Sequence, residues 1–287
     1  MISAPQLVMA GPHDPRLHFA RHHLGPITIQ PSPDMPPHLL LLTDASDTRY
    51  LVKQHRDPGR FEREARAYTT WTTYLGDRAP QLIASDPPTL SLLLTELPGR
   101  NAALLPSGSI AERQAHHAAG ATLRQIHQIP TVAPGTTIAA YLGQRLSLWA
   151  DRARSANLIT SCQRNEMEAR ATALADTTMD AAICHLDYQP RNWLLADYGT
   201  VRIVDFEHMR PDARLRDLAR LAHRHWAAAP DLRAVFLDGY GHPLTALDDQ
   251  LIQQFAAIEA LTALVQGRQR DDAQLTSHGR LLLTQLH

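Results

Sequence analysis

Cys184-His185-Leu186-Asp187-Tyr188-Gln189-Pro190-Arg191-Asn192-Trp193-Leu194-Leu195, followed by Val201-Arg202-Ile203-Val204-Asp205-Phe206-Glu207, is the stretch that decides the fold. Short apolar runs alternate with turn residues here, the pattern of strands and loops rather than of a helix. His185, Asp187 and Asn192 stand in an H-x-D-x-x-x-x-N spacing, and a second aspartate, Asp205, follows the first by 18 residues. An aspartate on a tight loop can orient or deprotonate an attacking hydroxyl. An asparagine five residues on and an aspartate ending the next strand offer two oxygens to Mg²⁺. That hard cation takes few protein ligands and completes its shell with phosphate and water oxygens. The metal and a lysine then neutralise charge developing on a transferred phosphoryl group.

On either side of this island the pattern is helical. Ser109 and Glu112 form a capping box, and helical spacing recurs over Ile138–Ala153, Arg164–Ala175, Arg214–Ala228, Thr245–Val265 and Asp271–Gln285. Before residue 98 the chain reads as strands. Pro26–Gln30 is a short β-type run, and His38–Thr43 with Arg49–Gln54 flank the turn Asp44-Ala45-Ser46-Asp47 as a hairpin. Gln81–Ala84 and Leu90–Leu97 resume the sheet. One helix interrupts it, capped by Asp57-Pro58 and carrying Phe61, Ala65, Tyr68, Thr72 and Leu75 on one face. The expected architecture is α+β and bilobal, a small β-rich lobe over 1–97 and a larger helical lobe over 98–287. A cleft between two such lobes is a common place for a ligand.

Of the 28 basic residues, 27 are Arg and one is Lys, at position 53 near the end of the second hairpin strand. Arg and Lys interchange on a surface, but not where a compact ammonium must meet a phosphate in a confined space.

Taken together, these features resemble the aminoglycoside phosphotransferase and choline kinase group, small-molecule relatives of the protein kinases. Lys53 falls at that family's phosphate-binding strand lysine. Thr95-Glu96-Leu97-Pro98-Gly99 is similar to its hinge, Leu123-Arg124-Gln125-Ile126-His127 to the helix before the catalytic loop region, and Asp217-Leu218-Ala219 to the segment after the metal aspartate. The resemblance implies a bilobal protein-kinase-like fold that moves the γ-phosphoryl of ATP or GTP to a small-molecule hydroxyl. It makes Asp187 the base or hydroxyl-orienting residue, Asn192 and Asp205 the Mg²⁺ ligands, and Lys53 the contact to the nucleotide phosphates. Asp217 would buttress the catalytic loop. A helix glutamate should pair with Lys53. Glu64 lies about 60° from the centre of its helix's apolar face and Glu62 about 100°, which favours Glu64. The backbone of Glu96 and Leu97 would meet the nucleotide base.

His185 is expected to brace the loop, Cys184 to be a small buried residue, and Trp71, Trp149 and Trp226 to pack. Two departures stand out. The loop Pro31-Ser32-Pro33-Asp34-Met35-Pro36-Pro37 has no glycine to bring its N–H groups near a phosphate, and each proline removes a donor. Arg191 stands where relatives commonly have a small residue; it is either solvated or a cation near the phosphoryl group or an acidic substrate. Two rivals follow from the same residues: a non-catalytic pseudokinase that binds or scaffolds, and a metal-dependent phosphohydrolase built on His185 and Asp187.

Composition excludes other classes. A net charge of −1 supplies no field for nucleic acid or anionic lipid. The longest aliphatic run, Leu39–Leu42, is far short of the roughly 20 apolar residues of a membrane span. Met1–Leu17 has proline and charge where a signal peptide needs an apolar stretch, so a cytoplasmic location is expected. Two cysteines make no disulfide framework. Monomer and homodimer are both compatible with the chain. The C-terminal stretch interleaves Asp248, Asp249, Glu259, Asp271 and Asp272 with Arg268, Arg270 and Arg280, so a polycationic acceptor is not indicated and a neutral or mildly charged alcohol fits as well.

Overall fold

The computed structural model describes residues 14–32, 35–131 and 134–286. Pro33 and Asp34 of the proline-rich loop lie outside the described residues, as does the terminal stretch before Asp14.

Helix α1 (Pro15–Leu24) is the one N-terminal element that the apolar pattern does not announce. Its start is set by the Asp14 carboxylate, which accepts from the Arg16 N–H at 2.9 Å, and its end by Gly25 at φ 75°. Strands β1 (Ile27–Ile29), β2 (Leu39–Asp44) and β3 (Arg49–Gln54) follow, the last two as the expected hairpin. Helix α2 (Pro58–Thr70) starts where Asp57 accepts from the Arg60 N–H at 2.7 Å. It stops at Trp71, short of the expected Leu75, and the chain tightens into a 3₁₀ segment over Thr72–Arg78. Strands β4 (Leu82–Asp86) and β5 (Ser91–Thr95) complete an antiparallel sheet in the order β1-β2-β3-β5-β4.

Strand pleat sorts the side chains of β3. Val52 joins Leu17, Phe19, Ala20, Leu40, Leu42 and Leu93 in one apolar cluster. Its neighbour Lys53 therefore faces the other side of the sheet, paired across the ladder with Leu39 and Leu92.

Beyond β6 (Arg100–Asn101) come the helices α3 (Ile110–His127), α4 (Gly135–Ser155) and α5 (Ser161–Ala175), then β7 (Ala181–Cys184), β8 (Trp193–Leu195), β9 (Val201–Ile203) and β10 (Arg210–Ala213). Helices α6 (Arg216–Leu221), α7 (Pro230–Tyr240), α8 (Ala246–Arg270) and α9 (Ala273–Gln285) finish the chain. A π-helical turn, Ala222–Trp226, follows α6, so the expected helix over Arg214–Ala228 is broken in two registers.

The chain forms two compact units. One contains residues 1–115 and 190–209, the other 116–189 and 210–287. A single division after Leu97 was the expectation; by contacts the first unit runs on to Ala115 and takes back 190–209. The reason is the three-stranded sheet β6-β8-β9, in which Arg100 pairs with Leu195 and Asn101 with Leu194. Within the second unit β7 pairs antiparallel with β10, and Leu123, Ile126, Leu142, Leu218, Phe236 and Leu261 are fully buried. Trp71, Trp149 and Trp226 are buried, as expected of packing residues.

Candidate active site

In the first unit, β8 and β9 form a hairpin in which Trp193 opposes Ile203. The ladder runs one step further, since the Val204 N–H donates to the Asn192 carbonyl at 3.1 Å. Asn192, just before β8, and Asp205, just after β9, are thus brought to the same end of one hairpin. A spacing of 13 residues becomes a pair of oxygen donors through strand pairing alone. Asp205 holds a left-handed backbone at φ 69°, uncommon for a residue with a Cβ and frequent where a side chain must be aimed.

Lys53 meets two carboxylates. Its Nζ lies 2.7 Å from Glu64 Oε2 on α2 and 2.6 Å from Asp205 Oδ1. Glu64 is fully buried, Lys53 is 8% exposed, and the Asp205 side chain is a third exposed. Burial alone would lower the Lys53 ammonium; Glu64 and Asp205 outweigh it and hold the group above its ordinary range, a fixed cation. His55 Nε2 also lies 2.8 Å from Glu64 Oε2, and Tyr68 is buried beside the same carboxylate. Glu207, 2.8 Å from Arg60 and 3.3 Å from His208, is held down to about 2, by the His208 contact first and then by Lys53 and Arg60 against the effect of burial.

These groups line a cavity of about 940 Å³. Leu39, Leu51, Leu94 and Val204 give it an apolar wall; Lys53, Arg60, Arg191, Asn192 and Asp205 give it charge and hydrogen-bonding capacity. Pro36 and Pro37 of the glycine-free loop line it too. Arg191 is exposed on this rim, and its carbonyl accepts from Asn101 Nδ2 at 2.8 Å. Glu96 and Leu97 are not among the lining residues. The Glu96 N–H donates to the Arg49 carbonyl at 3.1 Å and its carboxylate pairs with Arg49.

Asp187 lies in the second unit, on the loop after β7. It is 2% exposed, accepts from Gln189 Nε2 at 2.6 Å and pairs with Arg220 on α6. The residue before it, Leu186, sits at φ 63°, which costs a leucine about 1–2 kcal/mol. Asp217 offsets that cost. Its buried carboxylate accepts from the N–H of His185 at 2.8 Å and of Leu186 at 2.5 Å, and meets His127 Nε2 at 3.1 Å. Burial would raise the Asp217 carboxyl, yet His127, His185 and the Leu186 N–H hold it below its ordinary value. The buttressing expected of Asp217 is therefore two backbone hydrogen bonds to the residues that aim Asp187. His185 is fully buried, its Nδ1 3.3 Å from the Asp187 N–H and its ring edge-on to Tyr188. Burial drives the Cys184 thiol well above its usual range, which suits a packing residue rather than a nucleophile.

Sequence reading missed His55, Tyr68, Arg60, Gln189 and Arg220 as neighbours of the expected residues. Arg220 carried a usable signal: Arg216, Arg220 and Arg224 repeat every four residues behind Asp217, a like-charge stripe that an isolated helix disfavours. Among the described residues, two His/Cys/carboxylate groups have metal-ligand spacing, His55-Glu64-Glu207 and His127-Cys184-Asp217. Neither contains the His185 and Asp187 pair on which a phosphohydrolase would be built.

The APH model, described as the phosphotransferase enzyme family, matches residues 39–279. A search of curated protein sequences finds no match. Among solved structures the chain is similar to an ethanolamine kinase from Plasmodium vivax, with a TM-score of 0.68 at 17% identity over 94% of this chain and 85% of that one. The gentamicin complex of APH(2″)-IIa gives a TM-score of 0.68 at 13% identity, covering 96% of each chain. The macrolide 2′-phosphotransferase MphH from Brachybacterium faecium gives 0.64 at 17% identity over 94% of this chain and 98% of that one. At such identities the likeness shows the fold, kinase-like and α+β.

Proposed function

The chain belongs to the phosphotransferase enzyme family, and from that premise we propose that it is a small-molecule kinase, transferring the γ-phosphoryl of ATP or GTP to a hydroxyl of an antibiotic or metabolite. The observation that carries the reading is Lys53, held 2.7 Å from Glu64 and 2.6 Å from Asp205 in a cavity that Asn192 also lines. A buried ammonium fixed by two carboxylates suits nucleotide phosphates, and the aliphatic wall of Leu39, Leu51 and Leu94 suits the flat face of a base.

The donor set fits Mg²⁺: a partly exposed carboxylate and an amide oxygen at one hairpin end, hard ligands few in number. Asp205 and Asn192 would hold the ion, which when bound neutralises charge on the phosphates. Lys53 binds and orients the phosphates, while Glu64 keeps its ammonium in place. Asp187 orients the acceptor hydroxyl and takes up its proton; Gln189 and Arg220 hold its carboxylate in one rotamer. Catalysis is positioning and electrostatics, with no covalent enzyme intermediate. No helix among the described residues is long and apolar enough to cross a membrane.

Thermal unfolding with ATP or GTP, with and without Mg²⁺, tests the nucleotide site. A Mg²⁺-dependent rise in Tm that disappears in Lys53→Met and Asp205→Asn is expected; no rise with either nucleotide would overturn the assignment. One observation favours a second reading, a pseudokinase-type binding module: Pro36 and Pro37 line the cavity where N–H donors would cradle phosphates. That reading predicts nucleotide binding with neither transfer nor hydrolysis.

A further inference from the structure

Beside Asp187, within the second unit, lies a smaller cavity of about 100 Å³. It has room for a carboxylate or phosphate group with a little water, far short of a saccharide ring. Four arginines line it: Arg145 from α4, Arg216 and Arg220 from α6, and Arg224 from the π-helical turn. Leu186, adjacent to Asp187, lines it as well, and Glu259 of α8 is the one carboxylate among the lining residues.

The charges do not cancel. Glu259 serves two guanidiniums, at 2.8 Å from Arg224 Nε and 3.8 Å from Arg220 Nε, and also meets His278 at 3.4 Å. Arg220 reaches Asp187 with its other end. Arg216 pairs with Asp212 at 2.6 Å, a carboxylate that Arg210 shares at 3.1 Å. Five guanidiniums therefore answer to three carboxylates. Arg145 is left without an ion pair: among the described residues it has no carboxylate within 4.0 Å, it donates to the Tyr141 hydroxyl at 3.4 Å, and its guanidinium lies 6.0 Å from the centre of the Trp149 ring. Its Nε is buried with no hydrogen-bond partner. A buried donor without an acceptor is costly, and a planar guanidinium is built to receive two oxygens of an anion. The arginine stripe on α6 adds like-charge repulsion that the protein's own acids do not fully relieve.

We infer that this cavity receives an oxyanion of the acceptor, so that the substrate is an alcohol carrying a carboxylate or phosphate group rather than a polyamine. The inference rests on the reading of Asp187 as the residue that orients the acceptor hydroxyl; the arginines would seat the anion and leave the hydroxyl to Asp187. A polycation would meet the same guanidiniums as repulsion.

Inorganic phosphate is the probe, titrated without nucleotide at constant ionic strength and read by calorimetry. Arg145→Gln removes a cation that holds no ion pair, and affinity is expected to fall about tenfold. Glu259→Gln removes the competing carboxylate, and affinity is expected to rise several-fold. Opposite signs from two substitutions in one cavity are not what general destabilisation produces. Arg145 lines this cavity and not the nucleotide site, so a loss of phosphate affinity in Arg145→Gln separates the two. Glycerate and glycerol 3-phosphate, compared with glycerol, tell a carboxylate from a phosphate acceptor. Phosphate affinity equal in wild type and Arg145→Gln, or kanamycin bound in preference to all three anions, overturns the inference. Mg²⁺–ATP binding is measured on the same proteins. Its loss in wild type would end the kinase reading whatever phosphate does, while its retention with no anion site would end only the acceptor class.

Discussion

Replacing Glu259 by Gln removes the carboxylate that draws Arg220 and Arg224 together while keeping the side chain's size. Its side chain is 11% exposed, and its carboxyl is pulled from an ordinary 4.5 to about 2: burial acts to raise it, but His278, Arg220 and Arg224 outweigh that. The difference corresponds to about 3 kcal/mol of stability at neutral pH. The two guanidiniums are 33% and 27% exposed, and solvent screening trims the figure to about 2–3 kcal/mol. Because folding depresses this carboxyl, its contribution is complete above about pH 4.5 and is lost as the pH falls toward 2. At pH 3 less than half remains, about 1.4 kcal/mol before screening. Urea unfolding of wild type and Glu259→Gln, followed by circular dichroism at pH 7 and again at pH 3, measures both values. A gap that is large at pH 7 and shrinks at pH 3 is expected. Equal stabilities at pH 7, or a gap of constant size, would show that packing rather than charge is responsible and refute the reasoning.

Asp187→Ala is expected to lower turnover of the cognate acceptor on the order of 10²-fold or more, with the nucleotide-induced Tm rise kept; turnover at the parental rate would remove Asp187 from its role. Lys53→Met removes the ammonium, leaves the buried Glu64 carboxylate with His55 and the Phe206 N–H, and should cost on the order of 3 kcal/mol in urea unfolding, of which Lys53→Met/Glu64→Gln recovers most. A double variant no more stable than the single one would contradict the ion pair. Gly239→Ala tests the packing of α7 on α3, since an added Cβ would lie 1.9 Å from the His117 carbonyl oxygen. A loss of about 1–3 kcal/mol or more is expected, and an unchanged Tm would argue against that close approach.

Local patterns carry the part of this molecule that the linear chain determines. Short apolar runs bounded by turn residues mark β2, β3 and β5, and 3.6-residue spacing marks α2, α4 and α8, because a buried strand needs only a few apolar residues in a row while a helix shows the core one face. The same logic places Glu64 rather than Glu62 toward Lys53, and the structure sets that pair at 2.7 Å. Asn192 and Asp205 meet because an antiparallel hairpin closes the interval between them, a register that turn residues and short strands already imply. Helix α1 escaped notice because its apolar residues make no clear stripe until the sheet gives them a surface to cover. What only the folded chain decides is which side chains meet from elements far apart. Nothing near Arg145, on α4, signals Arg220 on α6 or Glu259 on α8, and the positive excess in their shared cavity exists only once those helices pack. A charge's effect depends on its distance to other charges and on the water excluded around it, and neither quantity is written along the chain.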